Sequence, residues 1–293
     1  MPTLNTGVFC RSFASVHDGA IQQLLWQLAD GGAGLWMYRP FLELMKARGM
    51  RIPGLAGVFS GPDDLPQGLS LMMSIGGDGT FLQCVRMLRA SAVPVVGINA
   101  GRLGFLANVA MEDVKAVTDC LLTGRFECEQ RALLQFSAPE PLFGADNCAL
   151  NEMTVQKCDN ALLTVQVWCN GDYLTTYWAD GLIVSTPTGS SAYSLSVGGP
   201  IVAPGCRNFI LSPIAPHNLN ERPLVLPDDV TLKICPQSRA GKVRVTLDSC
   251  TVQCPSGMAF EVRRAPYMVR VVKGGSFFAS LRSKLMWGAD KRN

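Results

Sequence analysis

From the N-terminus to about residue 125, short apolar runs alternate with segments of helical period, the texture of a parallel sheet with crossover helices. Gly7 to Cys10 reads as a first strand. Ile21, Leu24, Leu25 and Leu28 recur at i, i+3, i+4 and i+7, giving one apolar helix face that stops at Asp30, Gly31 and Gly32. Leu35 to Tyr38 gives the next strand, and Phe41, Leu44 and Met45 mark a helix ending near Gly49. A loop rich in Gly, Pro and Asp follows, after which Leu69 to Ile75 is a near-continuous apolar strand of the doubly buried kind.

That strand is broken by Gly76, Gly77, Asp78, Gly79 and Thr80, and Phe81, Leu82, Val85 and Leu88 resume at helical spacing. A glycine loop therefore lies between a strand and a helix start. Val93 to Asn99 is another buried strand, followed by a second loop, Gly101, Arg102, Leu103 and Gly104. Glu112 to Thr123 reads as a helix, with Val114, Val117, Leu121 and Leu122 on one face, acids at its N-terminus and Gly124 as its C-terminal stop.

From about Leu133 the pattern changes to strands punctuated by Asn, Gly, Asp and Pro: Ala149 to Val155, Leu162 to Trp168, Tyr173 to Trp178, Val230 to Ile234, Val243 to Leu247 and Met268 to Val272. This is an all-β pattern, read as a sandwich. Phe277, Leu281 and Leu285 restore a helical period in the tail. The expected organisation is an α/β domain over 1–128, a β-sandwich over 129–272, and a C-terminal helix over 273–293 returning to the first domain.

Composition narrows the function classes. Of 293 residues 48% are hydrophobic and 17% charged, enough for a sizeable core, which argues against disorder. The net charge is only +3 and the basic residues are scattered, so the footprint of a nucleic-acid binder is missing. Mean hydropathy is positive, +0.19, yet no apolar run approaches the ~20 residues of a spanning helix, so no membrane partner is expected. Met1 to Phe13 shows no secretory pattern, and a cytoplasmic location is the expectation. The eleven cysteines include no Cys-x-x-Cys pair, and Cys250 with Cys254 has no second ligand pair nearby. Free thiols are the reading, with no metal site. Only His17 and His217 could pair with a cysteine, and no spacing brings them together.

The chemistry centres on three clusters. A Gly-Gly-Asp-Gly loop at the end of a buried strand lets backbone approach a phosphate, and the following helix aims its N–H groups at an anion. Asp78 would repel that phosphate unless it serves a metal ion or accepts a proton from a hydroxyl, which points to phosphoryl transfer. The alternative is a tight turn whose glycines supply positive φ. Asn151 and Glu152 supply an amide and a carboxylate that suit an adenine edge and sugar hydroxyls. The run from Asp180 through Thr188, Gly189, Ser190, Ser191, Ala192, Tyr193, Ser194, Leu195 and Ser196 to Pro200 is rich in small hydroxyl residues that can bond ribose and amide groups. Its bland reading is a capped loop.

In order and spacing these blocks, together with Gly97 to Asn99 and Gly101 to Ala107, resemble the NAD kinases, also called ATP–NAD kinases. The glycine loop alone is shared with diacylglycerol and sphingosine kinases and resembles one in phosphofructokinases. The block from Asp180 to Pro200 is what separates this chain from the lipid kinases. The resemblance implies a Rossmann-like N-terminal domain and a β-sandwich, with the dinucleotide between them, in a homodimer or homotetramer. It implies transfer of the terminal phosphate of ATP to the 2′-hydroxyl of the adenosine ribose of NAD, with a divalent cation, Mg²⁺, accompanying ATP. Asp78 is then the general base. Gly79, Asn151 and Glu152 hold the adenosine side, and Asp180, Thr188, Ser191, Ala192, Tyr193, Ser194, Leu195 and Ser196 line the rest, Tyr193 stacking on a base. Phe105 walls the pocket or serves the core.

Four positions depart from the family pattern: Ser191 where Thr is frequent, Gln83 where a basic residue is frequent, Trp178 in place of Arg, and Cys250 in place of Gln or Arg. Two other readings compete. A lipid kinase would lack the Asp180 to Pro200 block, and a catalytically silent dinucleotide sensor would not need Asp78.

Overall fold

A computed structural model describes residues 4–101 and 104–286. The chain divides into two compact units, residues 1–130 with 269–293, and residues 131–268. No helix among the described residues is long and apolar enough to cross a membrane.

The first unit is a parallel sheet with helices on both faces. Its elements run β1 (Asn5–Phe9), α1 (Asp18–Asp30), β2 (Gly34–Tyr38), α2 (Arg39–Ala47), β3 (Leu55–Phe59), β4 (Leu71–Gly76), α3 (Asp78–Leu88), β5 (Val95–Asn99), β6 (Val109–Ala110) and α4 (Val114–Leu122). The strand order is β5-β4-β1-β2-β3, all parallel, with β6 beside β5. Residues of alternating parity separate the faces. Val8, Met37, Met73, Ile75, Val96 and Ile98 pack with Ile21, Leu24, Leu25 and Leu28 of α1, Phe41 and Met45 of α2 and Val114 and Leu121 of α4. Residues of the other parity, including Ser74 and Gly97, face α3, where the Phe81 ring packs on Gly97. Because the chain winds outward from β1 in one direction and then returns to its other side with β4, the order reverses between β1 and β4. The carboxyl ends of strands at such a reversal are where doubly wound sheets bind ligands.

Most first-unit elements match their periodicity, and the strands not anticipated are the two-residue β6 and β3. The β3 sequence, Leu-Ala-Gly-Val-Phe, lies at the sheet edge with only Phe59 buried, so it carries neither a long apolar run nor a clean alternation. The expected helix from Glu112 resolves into a 3-10 turn, Met111–Asp113, followed by α4, and Gly124 follows with φ +68°.

The second unit is a β-sandwich. Its strands are β7 (Cys128–Ser137), β8 (Cys148–Ala149), β9 (Glu152–Lys157), β10 (Leu163–Cys169), β11 (Asp172–Ala179), β12 (Gly181–Ser185), β13 (Asn208–Ile214), β14 (Leu224–Pro227), β15 (Leu232–Ser238), β16 (Lys242–Leu247), β17 (Cys250–Pro255) and β18 (Phe260–Val272). One sheet runs β14-β13-β12-β9-β16-β17; the other runs β11-β10-β15-β18, with β7 and β8 alongside. Met153, Val155, Leu182, Val184, Val245 and Leu247 of the first meet Val165, Val167, Leu232, Ile234 and Phe260 of the second in a single core. After Ser185 come a 3-10 turn, Thr188–Ser191, and one helical turn, α5 (Tyr193–Ser196). The last residues of β18 belong to the first unit, where Val271 pairs in parallel with Val95 of β5. The tail forms α6 (Phe277–Leu285), which buries Leu281.

The sequence pattern suggests one strand from Ala149 to Val155, but the structure interrupts it at Leu150 and Asn151, whose N–H groups are taken by a carboxylate described below. Phe81 is fully buried and anchors the helix that carries Asp78. Replacing it with Ala removes ring contacts that cannot fully close up, and the expected cost is about 3–5 kcal/mol. A shift of the urea unfolding midpoint followed by circular dichroism checks this, and an unchanged midpoint would contradict the packing described.

Candidate functional site

The first cluster is built by two loops at the carboxyl ends of β4 and β5. Gly76 ends β4 at φ +152°, where a Cβ would fall 2.5 Å from the Thr80 Oγ1, so a side chain is disfavoured there twice over. Gly77 is the N-cap of α3 and Asp78 its first residue. The second loop follows β5. Asn99 closes it by accepting from the Gly101 N–H at 2.8 Å and donating to the Ala107 carbonyl at 3.4 Å. Gly97 lets the loop lie close, since a Cβ there would sit 2.8 Å from Ala107 Cα.

The two loops meet at the Asp78 carboxylate. Its Oδ2 accepts from the Phe105 N–H at 2.8 Å, and its Oδ1 accepts from the Leu106 and Ala107 N–H groups at 3.0 and 2.9 Å. Gly104 passes so close that a Cβ would lie 1.8 Å from Oδ1. Three charge-assisted bonds fix the orientation of this side chain at the start of a helix. Lys284 of α6 also belongs here. Its Nζ lies 4.3 Å from the centroid of the Phe105 ring, is shielded from solvent, and has no hydrogen-bond partner among the described residues. Burial pushes the ammonium down to about 8, against the opposing pull of the Asp78 charge. Gln83 of α3 accepts from Arg11, just beyond β1, at 3.1 Å.

The second cluster lies on the face of β9 and β12 away from the sandwich core. Asp248, between β16 and β17 with φ +48°, accepts from the N–H groups of Leu150, Asn151 and Glu152 at 2.8, 2.9 and 3.1 Å, and its own N–H returns to the Glu152 carbonyl at 3.0 Å. This turn is stitched to the start of the hydroxyl-rich segment. Thr186 N–H bonds the Asn151 carbonyl at 2.9 Å, Thr186 Oγ1 donates to the Leu150 carbonyl, and Gly189 N–H donates to Thr186 Oγ1 at 3.2 Å. At Gly189 a Cβ would fall 2.2 Å from the Asn151 carbonyl oxygen, so glycine is required for the approach.

Glu152, Thr154 and Gln156 share one face of β9 by the two-residue period of a strand. The Tyr193 N–H bonds the Glu152 carboxylate, and the Tyr193 hydroxyl accepts from Gln156 Nε2 at 3.0 Å, so α5 runs along that face. At its far end Gly181 pairs with Gln156, and the preceding Asp180 forms an ion pair with Lys157 at 2.6 Å. Thr188 is buried, its hydroxyl accepting from Arg131 at 3.4 Å. Ser191 donates to the Thr188 carbonyl at 3.3 Å, and Ser194 meets Ser212 at 2.9 Å inside the fold. Ala192 and Leu195 are half-buried, and Ser196 is exposed. Thus Asn151, Glu152, Asp180, Thr188, Ser191, Ala192, Tyr193, Ser194, Leu195 and Ser196 lie on one connected stretch of the second unit, while Asp78 and Gly79 lie in the first.

Glu152 is the electrostatic outlier. Burial, reinforced by the Asp248 charge and only partly offset by the Tyr193 N–H, pushes its carboxyl up to about 8, and its Oε2 is buried without a partner. A neutral carboxyl can both donate and accept, which suits a sugar hydroxyl. Trp178 is largely exposed on β11, and Cys250 is half-buried at the start of β17. Among the described residues no group of three His, Cys, Asp or Glu could hold a metal ion.

Two family models match the chain, the ATP-NAD kinase N-terminal domain over residues 61–126 and the ATP-NAD kinase C-terminal domain over 150–274. The NAD kinase of Porphyromonas gingivalis (strain W83) is 40% identical over 288 residues, covering 97% of this chain and 98% of that one. The chain belongs to the NAD kinase family. As a family of phosphotransferases, NAD kinases also include a Christiangramia forsetii relative that is 42% identical over 297 residues, 99% of this chain and all of its own length. Yeast NADH kinase complexed with NADH superposes with a TM-score of 0.87 at 22% identity over 99% of this chain and 89% of that one. An NAD kinase from Archaeoglobus fulgidus in complex with ATP gives 0.72 at 23% identity over 96% and 98%. These two share the fold.

Asp248, the second-loop amides and Lys284 join these two clusters, and the sequence motifs gave none of them a role. Asp248 lies 96 to 98 residues from the groups it orders. Its replacement by Ala leaves three main-chain donors without their anion, and about 2–4 kcal/mol of stability should be lost. Asn, which tolerates the left-handed backbone, should cost less, and melting temperatures of the two variants check the order.

At Glu152 the native carboxyl binds a proton that the unfolded one releases between its ordinary value of 4.5 and about 8, so its contribution grows less favourable as pH rises through that window. Glu152→Gln should therefore stabilise by about 1–3 kcal/mol above pH 8 and by almost nothing near pH 4. Paired melts across that range read the difference, and a pH-independent offset would refute the assignment.

Proposed function

We propose that this chain transfers the terminal phosphate of ATP to the 2′-hydroxyl of the adenosine ribose of NAD, giving NADP and ADP, with Asp78 as the general base. The observation that carries this reading is the fixed Asp78 carboxylate, the first residue of a helix at the reversal point of the sheet, in a chain that belongs to the NAD kinase family. In this proposal the clusters of both units act on one dinucleotide.

The roles follow from chemistry. A carboxylate is a weak base, so it must be held against the hydroxyl it deprotonates, and three main-chain bonds supply that positioning. Gly79, with open space at its Cβ position, leaves room beside the carboxylate for the ribose. Asn151 and neutral Glu152 hold the adenosine through amide and carboxyl hydrogen bonds, and the Tyr193 ring offers an apolar face to a base. Phosphoryl transfer otherwise asks for in-line position and charge compensation, which the N–H groups at the start of α3 contribute.

Among the described residues there is no dedicated metal cage, and this fits a divalent cation of the Mg²⁺ type that keeps water and triphosphate oxygens as most of its ligands, with Asp78 as the loop's carboxylate. Bound there, it would neutralise charge on the phosphate oxygens.

The purified protein should form NADP from NAD, ATP and Mg²⁺, measured with an NADP-specific dehydrogenase. Asp78→Asn should lower turnover by about 10²- to 10⁴-fold while NAD affinity stays within about twofold. Full turnover in the variant would remove Asp78 from the mechanism. Absence of turnover in the wild type, with NAD bound normally, would favour a dinucleotide sensor.

A further inference from the structure

We propose that Lys284 of α6 is a phosphate-binding residue of the site, its ammonium being the cation that meets the triphosphate beside Asp78. This rests on the reading of Asp78 as the centre of phosphoryl transfer.

Three observations converge on it. The Lys284 amine is shielded from water yet has no hydrogen-bond partner among the described residues, which leave its three donors unsatisfied. A buried donor without an acceptor is costly, and such groups call for an explanation. Second, the amine is not randomly placed: it lies 4.3 Å from the Phe105 ring centroid, and the N–H of that same residue bonds Asp78. The ring face holds the cation without using its donors. Third, the anion it faces is already engaged. Both Asp78 oxygens accept main-chain N–H groups, and Lys284 feels Asp78 as a charge without a hydrogen bond to it.

A ligand with several acceptor oxygens and net negative charge satisfies all three donors, and a polyphosphate is such a ligand. The same ligand has to approach the negative Asp78, so a positive group on the other side is needed to offset the repulsion. The start of α3 supplies partial charge only, whereas the ammonium supplies a full one as a compact point charge. Desolvation raises the stakes, because a cation waiting in a partly dry site gains more from an anion than one already in water.

The test uses the full chain and three forms: wild type, Lys284→Met and Lys284→Arg. Methionine, one atom shorter, keeps an unbranched apolar stem against the Phe105 ring, and arginine keeps the charge. Calorimetric titration with inorganic tripolyphosphate and with ATP in the presence of Mg²⁺ should show affinity lower by about 10- to 100-fold in Lys284→Met. Lys284→Arg should recover most of it, with NAD affinity and melting temperature unchanged in both. Wild-type tripolyphosphate affinity in Lys284→Met would overturn the proposal. So would an equal loss of NAD affinity together with a fall in melting temperature, because that pattern marks a packing role. Turnover is read separately. A wild type that binds tripolyphosphate through Lys284 but forms no NADP would refute the proposed reaction and leave the phosphate site standing.

Discussion

An aspartate carboxylate that gathers three consecutive main-chain N–H groups is the interaction on which both clusters depend. Asp78 does this with Phe105, Leu106 and Ala107, and Asp248 does it with Leu150, Asn151 and Glu152. In each case a loop that has left its strand would otherwise present unpaired donors, and the carboxylate both satisfies them and fixes the loop's shape. The glycines follow from this. Gly104 and Gly189 lie where any Cβ would collide with the carboxylate or with the Asn151 carbonyl.

The two carboxylates serve different ends. Asp248 has its charge spent on architecture: it holds open the break between β8 and β9 and, by its proximity, helps keep Glu152 protonated. Asp78 is placed by the same device at the start of α3, where the sheet order reverses. In the proposed reaction it accepts the proton of the hydroxyl while the neighbouring donors compensate phosphate charge. In the proposal made above, the Lys284 amine over the Phe105 ring extends that compensation.

Much was legible from the chain. The i, i+3, i+4 face of Ile21, Leu24, Leu25 and Leu28, the buried run before Gly76, and the strand pattern of Leu162 to Trp168 each report a burial pattern that neighbours in sequence impose, and each element is found within a residue or two of where the period places it. The glycine loop and the Asp180 to Pro200 block were legible because they need particular residue types at short spacing. Edge strand β3 was not, since an edge buries too little to leave a pattern. The break after Ala149 was not, because its cause is a carboxylate nearly a hundred residues away.

The sequence by itself determined the parallel α/β texture of the first unit, the strand-rich texture of the second, and the chemistry available to Asp78, Asn151, Glu152 and Tyr193. Those are properties of local period and residue type. Only the tertiary structure decided which donors close on Asp78, that Asp248 orders the Asn151 turn, that Glu152 is held neutral, and that the Lys284 amine lies unpaired over Phe105. Hydrogen-bond direction, desolvation and charge proximity depend on groups distant in the chain, and no spacing along it records them.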